Sequence, residues 1–295
     1  MIIFAVSYLL KTPKRNINMI DIQNITFRYS SKSAPVFDNF CLRLEQNKVI
    51  GLLGENGTGK STLLYLLMGL LRPNEGHIKV ENTDVSHRTR ATLQQMYIVP
   101  EEFTLPQMRF ADYVAAYRPF YPAFSDDILR RCMEEFHLPL DVRIDQLSMG
   151  DKKKVLMSFA LATNVRYLLM DEPTNGLDVP SKKQFRKVIA TTMTEERTLI
   201  IATHQLHDVE SLLDHVLILQ RSQLLLNASV EALCEKYTFD VRSNDVLTDD
   251  VLYTERTPQG NATLSLRQPD DEETQLNLEL LFNAVTSDSI NGEIL

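Results

Sequence analysis

Apolar and polar residues alternate along Ile20-Asp21-Ile22-Gln23-Asn24-Ile25-Thr26-Phe27-Arg28-Tyr29, the period of a half-exposed strand. Ser30 to Pro35 reads as a turn, and Val36 to Leu44 resumes as a second strand. The pattern then changes. Lys48-Val49-Ile50-Gly51-Leu52-Leu53 is nearly continuous in apolar residues, which predicts a buried strand, and Thr62 to Met68 reads as a helix start. Short strands follow at His77 to Val80 and Tyr97 to Val99. From Pro100-Glu101-Glu102 to about Val165 the pattern turns helical, with Ser125 as N-cap of a helix from Asp126 to His137. Leu147 to Lys154 opens a helix that runs to about Thr163. Tyr167 to Asp171 is an apolar strand ending in two acids, Asp171 and Glu172. Ser181 to Thr194 reads as a helix, Thr198 to Thr203 as a strand ending at His204, Asp208 to Leu213 as helical, and Val216 to Gln220 as a last strand. Strands separated by helices and short loops imply an α/β fold with a mostly parallel sheet covered on both faces.

Around Tyr237 the character shifts. The remaining segment is acidic, with strand-like alternation over Asp250 to Arg256 and Ala262 to Arg267, a turn at Pro258 to Asn261, and a short helix from Glu279 to Val285. Residues 237–295 read as a small α+β accessory unit. At the other end, Met1 to Leu10 is apolar but roughly half the length of a membrane-spanning helix. Lys11, Lys14 and Arg15 follow that run, the wrong order for a secretory signal. Residues 1–18 are expected to be a leader or a misassigned translation start, with a membrane-surface anchor as the alternative.

Composition narrows the function. The chain has 295 residues, 44% hydrophobic and 24% charged, with a net charge of −8. That balance argues against a nucleic-acid binder relying on bulk charge. Three cysteines, Cys41, Cys132 and Cys234, lie far apart and outside any metal-ligand spacing, so they read as free thiols. The run Lys152 to Lys154 is expected to be a solvated helix face.

The strongest chemical signal is Gly54-Glu55-Asn56-Gly57-Thr58-Gly59-Lys60-Ser61-Thr62, which fits the phosphate-loop pattern of Gly, four residues, Gly-Lys-Ser. A strand feeding a glycine-rich turn into a helix N-terminus gathers backbone N–H groups around an anion, and the helix dipole adds to the attraction. Lys60 places a charge on the β- and γ-phosphates, and Ser61 offers its hydroxyl to Mg²⁺. A carboxylate at the end of a parallel strand beside such a loop, here Asp171, is the expected Mg²⁺ partner. Tyr29 ends the first strand, where its ring either stacks on a purine or packs at a sheet edge.

These features together resemble the ATP-binding subunit of ABC transporters, and the likeness covers roughly Met19 to Glu235. Gly54 to Ser61 matches the Walker A loop and Leu168 to Asp171 Walker B. Leu147 to Asp151 sits at the signature, Asn175 to Asp178 at the D-loop, and the tail is similar to that of a simple bacterial exporter-type subgroup. The resemblance implies a P-loop NTPase domain over residues 19–236, with an N-terminal antiparallel β subdomain and a helical subdomain at about 104–165. It implies ATP and Mg²⁺ as cofactors, Glu172 as general base, His204 as switch histidine and Lys60 as a third catalytic residue. Tyr29 and Val36 join the phosphate loop in binding the nucleotide. Ser148 and Gly150 would face the γ-phosphate from a second subunit, Glu101 joins Ser61 and Asp171 at the metal, and Asp178 couples the dimer. The implied partners are a separate transmembrane permease and a second ATPase subunit, identical or related, at the inner face of the cell membrane, with no nucleic acid. The alternative is a soluble ABC-type ATPase acting on a non-transport partner. Three positions depart from the family pattern. Glu101 replaces a glutamine, and Met149 and Asp151 replace a glycine and a glutamine of the signature. Met149 would be strained if its position requires positive φ.

Overall fold

The structure is a computed structural model that describes residues 20–242, 250–269 and 271–287. The expected leader lies outside the described residues. Strand β1 (Ile20–Phe27) pairs antiparallel with β2 (Phe37–Leu44). Strand β3 (Val49–Leu53) is buried at all five positions because both of its faces are covered. Val49 and Leu53 point into one apolar cluster, Ile50 and Leu52 into the other. The phosphate loop then leads into α1 (Lys60–Leu67). Strands β4 (Glu75–Val80) and β5 (Thr83–Asp84) return to β1, giving an antiparallel sheet in the order β2-β1-β4-β5. This is the expected N-terminal β layer.

The short α2 (Arg90–Leu93) precedes β6 (Met96–Val99). Three helices form the insertion, α3 (Phe110–Tyr117), α4 (Asp126–Glu135) and α5 (Met149–Ala162). Ser125 caps α4, its hydroxyl accepting from the Ile128 N–H at 3.2 Å. Phe159 anchors the insertion, with the rings of Tyr113, Tyr121 and Phe124 around it. Strand β7 (Tyr167–Asp171), helix α6 (Val179–Thr192), and strands β8 (Thr198–Thr203), β9 (His215–Gln220) and β10 (Gln223–Ser229) complete the main sheet. Its order is β10-β9-β3-β8-β7-β6, parallel except where β10 turns back on β9. The order matters for the site. Strands β3, β8 and β7 are neighbours and parallel, so the phosphate loop, His204 and the acids Asp171 and Glu172 emerge side by side at the carboxyl end of the sheet.

Helix α7 (Val230–Lys236) leads to a three-stranded antiparallel sheet of β11 (Tyr237–Arg242), β12 (Val251–Thr257) and β13 (Gly260–Leu266), in the order β11-β13-β12. Helix α8 (Leu278–Thr286) closes the described chain. Leu264, Leu278 and Leu281 share one apolar cluster with Leu213, Val216, Leu226 and Leu233. The accessory unit is therefore packed on the main sheet.

Three expectations change. The helix over Asp208 to Leu213 is instead two 3-10 turns, Leu206–Asp208 and Glu210–Leu212. Val216 to Gln220 is not the last strand before the accessory unit, since β10 follows. Its Leu224-Leu225-Leu226 run lacks alternation because the pairing with β9 shifts register between Leu224 and Leu226. Finally, Lys153 does not lie on a solvated face, being 6% exposed.

Candidate active site

Two glycines let the phosphate loop close. Gly57 has φ +83° and Gly59, the N-cap of α1, has φ +100°, a region that L side chains rarely adopt. A Cβ on Gly57 would meet no atom within 4 Å, so the concave side of the loop is open. Tyr29, Val36, Asn56, Gly57, Gly59, Lys60, Ser61, Thr62, Glu101 and Glu172 line a cleft of about 390 Å³, within the size range of ligand pockets. The sequence candidates Tyr29, Val36, the phosphate loop, Glu101 and Glu172 thus meet in one place, while Asp171 and His204 are not among the lining residues.

Lys60 is 6% exposed. Its Nζ donates to the carbonyls of Gly54 at 2.8 Å and Glu55 at 3.0 Å, and stands 3.8 Å from Glu172 Oε1. Burial lowers the pKa of its ammonium, and the charges of Glu172, Asp171 and Glu101 oppose that shift. Asp171 is 1% exposed, and burial raises its pKa while the Ser61 hydroxyl opposes. Asp171 Oδ1 is buried without a hydrogen-bond partner. A buried carboxylate oxygen left unpaired is costly, so the position favours a cation. Among the described residues no cluster of three or more His, Cys, Asp or Glu is arranged to hold a metal. Any divalent ion here would draw on Ser61, Asp171 and phosphate oxygens, the sparse protein ligation that suits Mg²⁺.

Glu172 follows at the end of β7 with φ +44°, a conformation unfavourable for a non-glycine residue. Its carboxylate is held on both oxygens. The Thr203 hydroxyl donates to Oε2 at 2.8 Å, and the His204 N–H donates to Oε1 at 3.1 Å. His204 Nδ1 lies 2.7 Å from the same Oε1. The Tyr29 ring is 62% exposed, with its hydroxyl 2.9 Å from Thr62 Oγ1 and its edge against Phe27. Tyr29 thus both packs on its neighbours and lines the cleft. Glu101, though exposed, faces this cleft and accepts from Asn175 Nδ2 at 2.9 Å.

Ser148, Gly150 and Asp178 are not among the cleft-lining residues. Ser148 caps α5. Its hydroxyl accepts from the Asp151 N–H at 3.1 Å and donates to Asp151 Oδ2 at 2.8 Å. Lys154 Nζ lies 3.1 Å from Asp151 Oδ1. Met149 is the first residue of α5 and has no positive φ, so the anticipated strain is absent. Asp178 caps α6 by accepting from the Ser181 N–H at 2.9 Å, and Ser181 holds its carboxyl below the usual range.

Residues 37–175 match the family model described as ABC transporter. An uncharacterized ABC transporter ATP-binding protein of Methanocaldococcus jannaschii is 27% identical, over 89% of this chain and 97% of its own. The high-affinity zinc uptake system ATP-binding protein ZnuC of Bacillus subtilis is 28% identical, over 70% of this chain and 93% of its own. A solved ATP binding subunit of an ABC transporter superposes with a TM-score of 0.65 at 20% identity, over 73% of this chain and 91% of that one.

By these likenesses residues 37–175 lie in an ABC nucleotide-binding domain. The family model and these relatives indicate ATP hydrolysis coupled to transport. No helix among the described residues is long and apolar enough to cross a membrane. Two residues of the ABC domain's site escaped the sequence reading. Thr203 offered only its place before His204 as a signal. Lys153 was masked by its neighbours Lys152 and Lys154, since a run of three lysines reads as solvated.

Proposed function

We propose that two copies of this domain, or this domain and a related subunit, close head to tail on ATP. The observation that carries this reading is the division of the candidate residues. Lys60, Ser61, Glu101 and Glu172 share one cleft, whereas Ser148 and Gly150, at an open helix N-terminus, lie outside it. A helix N-terminus is suited to phosphate, and a second copy would supply it. In that arrangement the loop N–H groups and Lys60 bind the β- and γ-phosphates, Tyr29 and Val36 hold the base, and Ser61 and Asp171 hold Mg²⁺, which would neutralise phosphate charge. Glu172 takes the proton of the attacking water as general base, and His204 keeps water and γ-phosphate in line. Asp178 stands two residues from Gly176, beside the α5 start, and would report closure to the partner copy.

The permease would dock at the cytoplasmic face of the membrane. The surface best suited to it is a cleft of about 790 Å³ between the sheet edge and the insertion, where the exposed Phe120 and half-buried Leu93 lie beside Arg88 and Arg90. Phe120 is 63% exposed, and a large apolar residue on such a face marks an interaction site. The finer assignment, an exporter of the simple bacterial kind, rests on the C-terminal unit. Glu172→Gln preserves shape and removes the base, so turnover should fall by about 10²–10⁴-fold while ATP holds two copies together. Size-exclusion chromatography with and without ATP tests this. A Glu172→Gln protein that binds ATP yet stays monomeric would sink the head-to-tail site.

A further inference from the structure

We propose that Lys153 is a positioning residue for Glu172, tying the N-terminal part of α5 to the turn that carries the general base. The proposal rests on the assignment of Glu172 as base. Lys153 is buried, and its Nζ donates to the carbonyl of Glu172 at 2.8 Å and of Asn175 at 2.9 Å. It thereby clamps both ends of the four-residue turn Glu172-Pro173-Thr174-Asn175. That turn begins in an unfavourable conformation. Glu172 combines φ +44° with a following proline, which further restricts the backbone before it. Such a geometry persists only where its surroundings fix it. The Glu172 N–H is fixed by the Ala202 carbonyl at 2.8 Å, and its carbonyl by Lys153. The direction of the carboxylate into the cleft follows from these two anchors.

Filling space does not explain a lysine at this position. Burying an ammonium is unfavourable, and a methionine of similar length would occupy the volume without that penalty. Among the described residues Lys153 forms no ion pair within 4 Å, its Nζ donating to two carbonyls, so its charge is balanced at longer range, by Glu101, Glu172 and Asp171. What the ammonium supplies is two directed N–H donors. The second anchor extends the effect, because Asn175 also donates to Glu101. Lys153 therefore joins the helix that Ser148 caps, the general base and the acid at the cleft mouth. A displacement of the α5 N-terminus moves all three together.

Lys153→Met in the full chain tests this. Turnover should fall by about 10- to 100-fold, the penalty for misplacing a reacting group by about 1 Å. ATP affinity by equilibrium binding should stay within about threefold, because no cleft donor is lost. The deciding measurement is the double variant. If Lys153 acts through Glu172, then Lys153→Met added to Glu172→Gln lowers the residual turnover by less than about threefold. An undiminished second loss, or unchanged turnover in Lys153→Met alone, overturns the proposal. Unchanged turnover in Glu172→Gln alone would instead remove the base assignment on which it rests. Should Lys153→Met fail to fold, Lys153→Gln is judged by the same criteria.

Discussion

At the scale of single residues, the cleft is organised by charges in partial burial. Among the described residues Lys60 is the one cation lining it, and its contact with phosphate would be charge-assisted in a shielded site. Lys60→Ala should weaken ATP binding by about 1.5–3 kcal/mol, roughly 10- to 100-fold, read by equilibrium binding. Unchanged affinity would refute the phosphate-loop assignment. Glu101 poses the opposite case, a full negative charge where the family pattern has a neutral amide. Its repulsion of a γ-phosphate at ~4 Å amounts to ~4 kcal/mol before solvent screening, and its exposure reduces that to a fraction. Bound Mg²⁺ reverses the sign, because hard oxygen anions are its preferred ligands. Glu101→Gln should therefore bind metal-free ATP better by a few fold and need more Mg²⁺ for half-maximal hydrolysis. Its Oε1 still accepts from Asn175, so the turn stays in place. Superimposable Mg²⁺ titrations of the two proteins would put Glu101 outside the metal's surroundings. The phosphate loop was legible because its chemistry is local, with glycines, lysine and hydroxyl at fixed spacing. Lys153 was not, because only packing decides which lysine of three turns inward.

At the scale of elements, α5 carries two opposing demands at its N-terminus. Asp151 in the first turn is favourable to the helix dipole, worth about 0.3–1 kcal/mol, and it fixes the Ser148 cap. The same carboxylate engages the hydroxyl proposed to meet a partner's γ-phosphate and adds negative charge beside it. Asp151→Gln should therefore lower the melting temperature slightly yet strengthen the ATP-dependent dimer of the Glu172→Gln protein. Sedimentation at a series of ATP concentrations measures the second effect, and a weaker dimer would mean that Asp151 serves closure. Strands β3, β7 and β8 were readable from their continuous apolar runs, and their adjacency brings Lys60, Asp171 and His204 together. The segment after His204 was misread as one helix. Its apolar residues Leu206, Val209, Leu212 and Leu213 have near-helical spacing, but the chain breaks into two 3-10 turns, the first packed against α8 and the second against α6.

At the scale of the whole molecule, the accessory unit meets the ATPase core at that same segment. The Leu278 N–H donates to Glu210 Oε1, and His207 Nε2 lies 2.8 Å from Glu279 Oε2. Gln220 Nε2 donates to the Thr286 carbonyl at 3.1 Å. The tail's alternation showed a small α+β unit in the sequence, but nothing local indicated where it docks, because docking depends on an apolar face shared by β9, β10, α7 and α8. A chain ending at Lys236 should still bind ATP, since all the cleft-lining residues precede it. It should be less stable, because Leu213, Val216, Leu226 and Leu233 lose their cover, and each kcal/mol lost lowers the melting temperature by about 2–4 °C at this size. Turnover should fall as well, because the turns following His204 lose the contacts of Leu278 and Glu279. A milder variant separates the two effects. Leu281→Ala leaves the polar contacts in place and opens a cavity costing about 2–5 kcal/mol. It should lower the melting temperature while turnover at a temperature where the protein remains folded is retained. A truncated chain that folds but binds no ATP would place part of the nucleotide site in the accessory unit. One that matches the full chain in turnover would show that the contacts of α8 with the segment after His204 do not reach the chemistry.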